Sequence, residues 1–103
     1  MRVFIDKEVH DEIMSFYMAA LSHHITLEEV TVLKKIDRLY DALESLGDFA
    51  EIYPYARLKA DWILKGYHEF ICEDFHFAYQ IYQLEDGERI VRVHDAVHSL
   101  LYY

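Results

Sequence analysis

Arg57 and Lys59 are the residues whose types and spacing first suggest chemistry. They lie two residues apart, just ahead of a segment rich in aromatic and β-branched side chains. If both side chains point to one face, they form a small positive site on an acidic protein, suited to a phosphate group. Two solvated surface cations are the alternative interpretation of the same pair.

His94 and His98 lie four residues apart. A helical C-terminal segment would align both rings on one face, where imidazoles can bind a metal. A third ligand would be needed, and Asp95 and His68 are the candidates. The sequence contains no HExxH motif and only one cysteine, Cys72, so it predicts neither a metal site nor a cofactor.

The composition predicts one soluble domain that spans residues 1–103. Of the 103 residues 53% are hydrophobic, with nine Tyr, six Phe and one Trp, which is enough apolar surface for a single core. No apolar stretch approaches the roughly 20 residues of a membrane-spanning helix. The lone cysteine and the lack of a signal-like N terminus indicate the cytoplasm. A formal charge of −9 repels polyphosphate and favours a basic partner segment.

The N-terminal half has the pattern of a strand followed by a helix. Residues Arg2–Ile5 predict a short strand. From Asp6 onward apolar residues recur every three to four positions, which predicts a helix that ends at Ser22-His23-His24. The apolar face of that helix consists of Val9, Ile13, Phe16, Tyr17, Ala20 and Leu21.

A second helix of about twenty residues is predicted after a short turn, so the two helices should pack antiparallel as a hairpin. Thr26 and Glu29 have capping-box spacing, and Ile25 and Val30 can form a hydrophobic staple. Gly47 lies where a left-handed residue would end the helix. An apolar seam runs along this helix through Val32, Ile36, Leu39, Leu43 and Leu46.

The C-terminal half changes to a β pattern after Pro54. Asp86-Gly87 is the strongest local hairpin signal and predicts a type I′ turn between two antiparallel strands. The last stretch, from residue 94 to 103, could extend the final strand, form a short helix or cross the sheet. The predicted strands are Trp62–Leu64, His68–Glu73, His76–Leu84 and Glu88–Asp95.

These elements predict an α+β fold: an N-terminal strand, an antiparallel helical hairpin and a three- to four-stranded antiparallel meander. The most specific segments are Arg57-Leu58-Lys59, Gly66-Tyr67-His68-Glu69-Phe70, the turn Glu73-Asp74-Phe75-His76, Phe77-Ala78-Tyr79-Gln80-Ile81-Tyr82 and Val93-His94-Asp95-Ala96-Val97-His98-Ser99. With this element order, the chain resembles the RelE/ParE toxin superfamily of bacterial type II toxin-antitoxin modules, which includes plasmid stabilisation proteins.

The resemblance implies two alternative activities and a partner antitoxin protein that neutralises either. RNA-cleaving members act on mRNA, free or at the ribosome, by general acid–base and electrostatic catalysis. On that branch Arg57 and Lys59 would hold the scissile phosphate, and proton transfer would be shared by His76, His98 and Tyr103. On the ParE branch the target is a protein, DNA gyrase, and no catalytic set is required.

Two departures from the family's pattern bear on this choice. His76 stands where the family usually has an arginine, and Leu100 and Leu101 stand where an arginine often follows the tail histidine. Losing one well-placed cation costs on the order of 3 kcal/mol of transition-state stabilisation in comparable sites. The departures therefore favour a ParE-like or degenerate member over an active mRNA endonuclease.

The sequence leaves two interpretations of its interaction surfaces open. Tyrosines are enriched in interface cores, so the exposed-looking ones either form a partner-binding surface or pack inside an aromatic-rich sheet. They are Tyr53, Tyr55, Tyr67, Tyr82, Tyr102 and Tyr103. The alternative function is a non-catalytic interaction domain that homodimerises through the hairpin seam, at Val32, Ile36, Leu39 and Leu43.

Overall fold

The computed structural model describes residues 1–23 and 28–102. The capping-box residue Thr26 and the staple residue Ile25 lie outside the described residues, as does Tyr103. Single 3₁₀ turns cover Ala50–Ile52 and Ser99–Leu101. The helices and strands are β1 (Arg2–Ile5), α1 (Lys7–His23), α2 (Glu29–Phe49), α3 (Ala60–Lys65), β2 (His68–Cys72), β3 (Phe75–Gln83) and β4 (Arg89–His98).

The four strands form one mixed sheet in the order β1-β4-β3-β2. β2, β3 and β4 pair antiparallel, but β1 lies parallel to β4, with Val3 beside Val91. We predicted an antiparallel sheet, but the sheet is mixed because β1 is parallel to its neighbour. A parallel pair needs a long crossover connection, and here the connection from β1 to β4 contains the three α-helices and the β2–β3 hairpin.

The helical hairpin packs on one face of the sheet and builds the main core. The His10 Nδ1 atom lies 2.6 Å from the Tyr40 hydroxyl, and Gly47 lies against the Met1 carbonyl, so α1 and α2 run antiparallel as predicted. The seam faces this core, with Ile36 half-buried and its other members buried, which leaves little of it exposed for the homodimer considered as the alternative. Its buried members are Val32, Leu39, Leu43 and Leu46, each at most 2% exposed.

The predicted strand Trp62–Leu64 is wrong, because these residues belong to α3. Gly66 has φ +71° and ends the helix: its N–H bonds to the Ile63 carbonyl at 3.1 Å, and the Tyr67 N–H bonds to the Trp62 carbonyl at 3.0 Å. This is the Schellman pattern, which a left-handed glycine permits.

Gly47 has a different role from the helix-ending one that we predicted. The α2 helix continues through it to Phe49, and its φ is not positive. A Cβ atom at this position would collide with the Met1 carbonyl oxygen. The glycine therefore allows close approach of the chain next to β1.

The type I′ turn that we predicted at Asp86-Gly87 occurs instead in the other hairpin, between β2 and β3. Glu73 and Asp74 have φ of 50° and 69°, so the two-residue loop between β2 and β3 is the type I′ turn. In the Asp86-Gly87 turn only the glycine has positive φ. There the Gly87 N–H bonds to the Leu84 carbonyl at 2.9 Å and the Leu84 N–H to the Glu88 carbonyl at 2.7 Å, as in a type I turn with a glycine bulge. The antiparallel pairing predicted from this turn is confirmed.

A β-bulge at His94 interrupts the pairing of β3 with β4. Ala78 pairs with Asp95 and Tyr79 with Val93, so His94 is the extra residue. A bulge breaks the alternation of side chains between the two faces. Two consecutive residues, His94 and Asp95, therefore both make contacts on the sheet face opposite the hairpin, which we call the second face.

Candidate functional site on the second face

The second face carries a hydrogen-bonded group of four side chains, Glu69, His76, Ser99 and Tyr102, which we call the His76 cluster. His76 Nδ1 lies 3.1 Å from Glu69 Oε2, and His76 Nε2 lies 3.2 Å from Ser99 Oγ. The Tyr102 hydroxyl donates to Glu69 Oε1 at 2.7 Å. An imidazole, a carboxylate and two hydroxyls in contact are the components of general acid–base chemistry.

The β2–β3 hairpin places the carboxylate beside the imidazole. Glu69 pairs with Ala78, and His76 lies two residues along β3 on the same face. Such diagonal neighbours are within reach of long side chains. The tight turn at Glu73-Asp74 fixes this register.

The chain end completes the cluster by folding back over β3. The backbone N–H and the hydroxyl of Ser99 both donate to the Asp74 carbonyl, at 2.7 and 2.8 Å. Beyond the following 3₁₀ turn, the Tyr102 ring stacks on His76 with ring centroids 3.9 Å apart. The path of residues 99–102, which the sequence left open, therefore builds half of the site.

The imidazole and the carboxylate of the His76 cluster are largely shielded from solvent. The side chains of His76 and Glu69 are each 14% exposed. Burial, together with the hydrogen bond and charge of Glu69, raises the pKa of Tyr102 to about 12. The phenol therefore stays protonated near neutral pH and donates to the carboxylate.

A second carboxylate–imidazole–hydroxyl group lies on the same face, and we call it the His94 relay: Asp6, His94 and Tyr82. His94 Nδ1 lies 3.2 Å from Asp6 Oδ2, and His94 Nε2 lies 2.8 Å from the Tyr82 hydroxyl. Burial alone would raise the pKa of Asp6, but the hydrogen bond and charge of Arg92, with those of His94, lower it overall. The bulge brings His94 into this relay.

The predicted phosphate-holding pair borders the His76 cluster, but its two side chains have different surroundings. Lys59 Nζ lies 3.3 Å from an Asp61 carboxylate oxygen and 5.8 Å from the centre of the Trp62 ring. Arg57 lines a largely apolar groove of about 530 Å³ together with Glu69. The positive charge of Lys59 is thus partly neutralised, and Arg57 lines the same groove as the acidic residue Glu69.

The structure does not bring His98 together with His76. His98 pairs with Phe75, on the hairpin side of the sheet, and stacks on Phe16 with ring centroids 3.7 Å apart. Its Nδ1 accepts a hydrogen bond from the Leu100 N–H at 3.1 Å. Burial lowers the pKa of His98. The two rings therefore cannot share proton transfer at one site.

The set chosen from the sequence for proton transfer was His76, His98 and Tyr103, and it leaves out three members of the His76 cluster: Glu69, Ser99 and Tyr102. The signal for Glu69 was available, because a tight turn at Glu73-Asp74 places Glu69 and His76 on one face by strand alternation. Ser99 and Tyr102 depend on the path of the chain end, for which no local pattern exists.

A helix that would align His94 and His98 for metal binding is not formed. Both residues lie in β4, and their rings contact opposite sides of the sheet. Within residues 1–23 and 28–102, no group of three or more His, Cys, Asp or Glu side chains is placed to hold a metal ion.

The predicted aromatic surface is divided between packing and exposure. Tyr53 and Tyr67 are half-buried: the Tyr53 ring packs at an angle against Phe70, and the Tyr67 ring stacks on His94. Tyr55 is 64% exposed and borders the same groove as Arg57. Among the described tyrosines of this set, Tyr53, Tyr67 and Tyr102 therefore pack against other rings, and Tyr55 and Tyr82 are the exposed ones, Tyr82 at 37%.

No protein-family model matches the sequence, and no curated protein matches it. In the part of the chain that the structure describes, no helix has the length and apolar character needed to cross a bilayer. The fold and the second face are therefore the basis of the functional proposal.

Proposed function

We propose that this chain is the toxin-like component of a bacterial type II toxin-antitoxin module. The proposal rests on the return of the chain end to β3, which builds the His76 cluster at the elements where the resemblance locates the family's active site. The order of strand, helical hairpin and three antiparallel strands supports the same family. A partner antitoxin would neutralise the protein.

The hairpin supplies a surface for such a partner. Each helix of the hairpin exposes two large apolar side chains, and the two on α1 have i, i+4 spacing. Exposed apolar side chains of this kind are what the apolar face of an amphipathic partner helix can pack against. They are Met14, Met18, Val30 and Leu33, which are 44, 58, 60 and 53% exposed. The formal charge of −9 favours a partner segment with basic residues.

We further propose that the protein acts on a protein target, as on the ParE branch, rather than by cleaving RNA. Phosphoryl chemistry needs cations that converge on the phosphate. Lys59 pairs with Asp61 instead, and Arg57 shares its groove with the carboxylate of Glu69. A carboxylate beside the imidazole would also repel a phosphate group.

Inducible expression in a bacterium tests both parts of the proposal when RNA integrity and plasmid supercoiling are measured in one culture. We expect growth arrest, altered supercoiling and intact mRNA. Co-expression of an adjacent small reading frame that encodes an amphipathic helix should restore growth. Normal growth while folded protein accumulates would contradict the toxin proposal, and cleaved mRNA would contradict the protein-target branch.

A double variant, Arg57→Ala with Lys59→Ala, separates the branches further. On the protein-target branch this variant should still change supercoiling, because no phosphate is held. The surface variant Lys34→Ala is the control for expression level. Loss of arrest in the double variant alone, together with cleaved mRNA in the wild type, would assign the ribonuclease branch instead.

A further inference from the structure

The His76 cluster contains a hydroxyl, an imidazole and a carboxylate in sequence. Ser99 Oγ lies 3.2 Å from His76 Nε2, and His76 Nδ1 lies 3.1 Å from Glu69 Oε2. A nucleophile within hydrogen-bond reach of a base, which is itself oriented by a third group, is the signature of an activated nucleophile. The proposed action on a protein target does not require the Ser99 hydroxyl to react.

We propose that Ser99 is a nucleophile, activated by His76 and Glu69, that accepts acyl groups from carboxylic esters. Ser99 is exposed, whereas the side chains of His76 and Glu69 are each only 14% exposed. A substrate can therefore reach the hydroxyl from solvent. The base and its orienting carboxylate stay beneath it, held by the Tyr102 hydroxyl at 2.7 Å from Glu69.

The Ser99 hydroxyl has one proton and two acceptors within reach. The Asp74 carbonyl lies at 2.8 Å and His76 Nε2 at 3.2 Å. When Oγ forms a bond to an electrophile, its proton must pass to a base, and an imidazole is a far stronger base than a backbone carbonyl. The bond to Asp74 therefore positions the oxygen, and His76 takes the proton.

The reaction can be written with every proton accounted for. As Ser99 Oγ attacks the ester carbonyl carbon, its proton passes to His76 Nε2 and an Oγ–C bond forms. The bond from that carbon to the leaving alcohol oxygen breaks, and this oxygen takes the proton from His76. Water then attacks the serine ester and gives a proton to Nε2, and this proton returns to Ser99 Oγ as the carboxylic acid leaves.

The His94 relay provides an internal control. It has the same order of carboxylate, imidazole and hydroxyl, but it ends on the phenol of Tyr82, whose hydroxyl donates to Gln80 Oε1 at 2.5 Å. It lies on the same face of the same sheet. His76 and His94 are equally shielded, with side chains 14% exposed each, so an effect that comes only from losing a hydrogen-bonded histidine should appear in both histidine variants.

Labelling of the purified full chain with a fluorophosphonate probe tests the proposal. Ser99 Oγ would form a bond to phosphorus, fluoride would leave, and the proton would pass to His76. We expect the label on Ser99 by mass spectrometry and none in Ser99→Ala. The labelling rate should fall at least about 100-fold in His76→Gln, the range of a lost general base, and should keep its wild-type value in His94→Gln.

Circular dichroism establishes which variants fold, and Glu69→Gln gives a second route if His76→Gln does not fold. Glu69→Gln should also slow labelling, because His76 loses its orienting carboxylate. Labelling of the wild type no faster than Ser99→Ala would overturn the proposal, as would equal rates in the folded His76→Gln and His94→Gln variants. The assay needs no cellular target, so its result is independent of the growth experiment.

Discussion

The Tyr102 ring lies parallel to the His76 ring, with centroids 3.9 Å apart and an angle of 6° between the planes. The phenol of the same residue donates to Glu69, which in turn bonds His76. One side chain near the chain end thus covers the imidazole and fixes its carboxylate. The integrity of the site depends on how the last residues fold.

Tyr102→Phe should lower the free energy of unfolding by about 1 kcal/mol, because it removes the hydrogen bond to Glu69 and keeps the stacked ring. Tyr102→Ala should cost more, since it also removes the ring. Urea unfolding measures both values. Tyr55→Phe is the matched control, because the Tyr55 side chain is 64% exposed, and equal stability of the two Phe variants would contradict the account.

Tyr79→Phe should lower the free energy of unfolding by about 1 to 3 kcal/mol, which is more than we expect for Tyr102→Phe. The Tyr79 hydroxyl donates to the Ala50 carbonyl at 2.5 Å inside the core, and burial raises the pKa of Tyr79 well above its usual range. Thermal unfolding should therefore show a lower midpoint than for Tyr55→Phe. An unchanged midpoint would mean that this buried hydrogen bond adds nothing to stability.

Asp6→Asn should reduce the acid dependence of stability. The folded state lowers the pKa of Asp6 below 3.8, so its contribution is full above that pH and is lost as the pH falls through the folded value. Denaturant unfolding between pH 7 and pH 2 should give a shallower decline for Asp6→Asn. Arg92→Gln removes the main partner and should reproduce part of this effect. A decline as steep as that of the wild type in both variants would refute the assignment.

His98→Phe should flatten the stability profile at mildly acidic pH. Burial lowers the pKa of His98 below 6.5, so the unfolded chain takes up the proton first. The stabilising contribution is therefore full above 6.5 and is lost as the pH falls through the folded value. Phenylalanine can keep the stack on Phe16 and cannot be protonated. Identical profiles for the variant and the wild type would contradict this.

Local patterns predicted the elements of the fold well where one signal dominated. The apolar period of three to four residues predicted both helices of the hairpin. The alternation along β3 also holds, because every second side chain faces the main core: Phe75, Phe77 and Tyr79. The segment at Trp62 was misassigned because an aromatic, β-branched run favours a strand, while the left-handed Gly66 that ends a helix was overlooked.

Pairings between distant segments could not be derived from local patterns. The parallel contact of β1 with β4 depends on the whole crossover between them. The bulge at His94 depends on the register with β3, and no residue type marks it in the sequence. The candidate site was therefore predicted only in part: His76 belongs to it, His98 lies on the opposite face, and Glu69, Ser99 and Tyr102 emerged from the fold.

Growth of a bacterium after induction of the wild type and of Tyr102→Ala, at matched levels of folded protein, tests the central claim most directly. The account predicts arrest by the wild type and near-normal growth with the variant, because the toxin proposal locates the surface that acts on the protein target at the His76 cluster, and loss of the Tyr102 ring opens that surface. Unimpaired growth with the wild type, or equal arrest by both proteins, would contradict it.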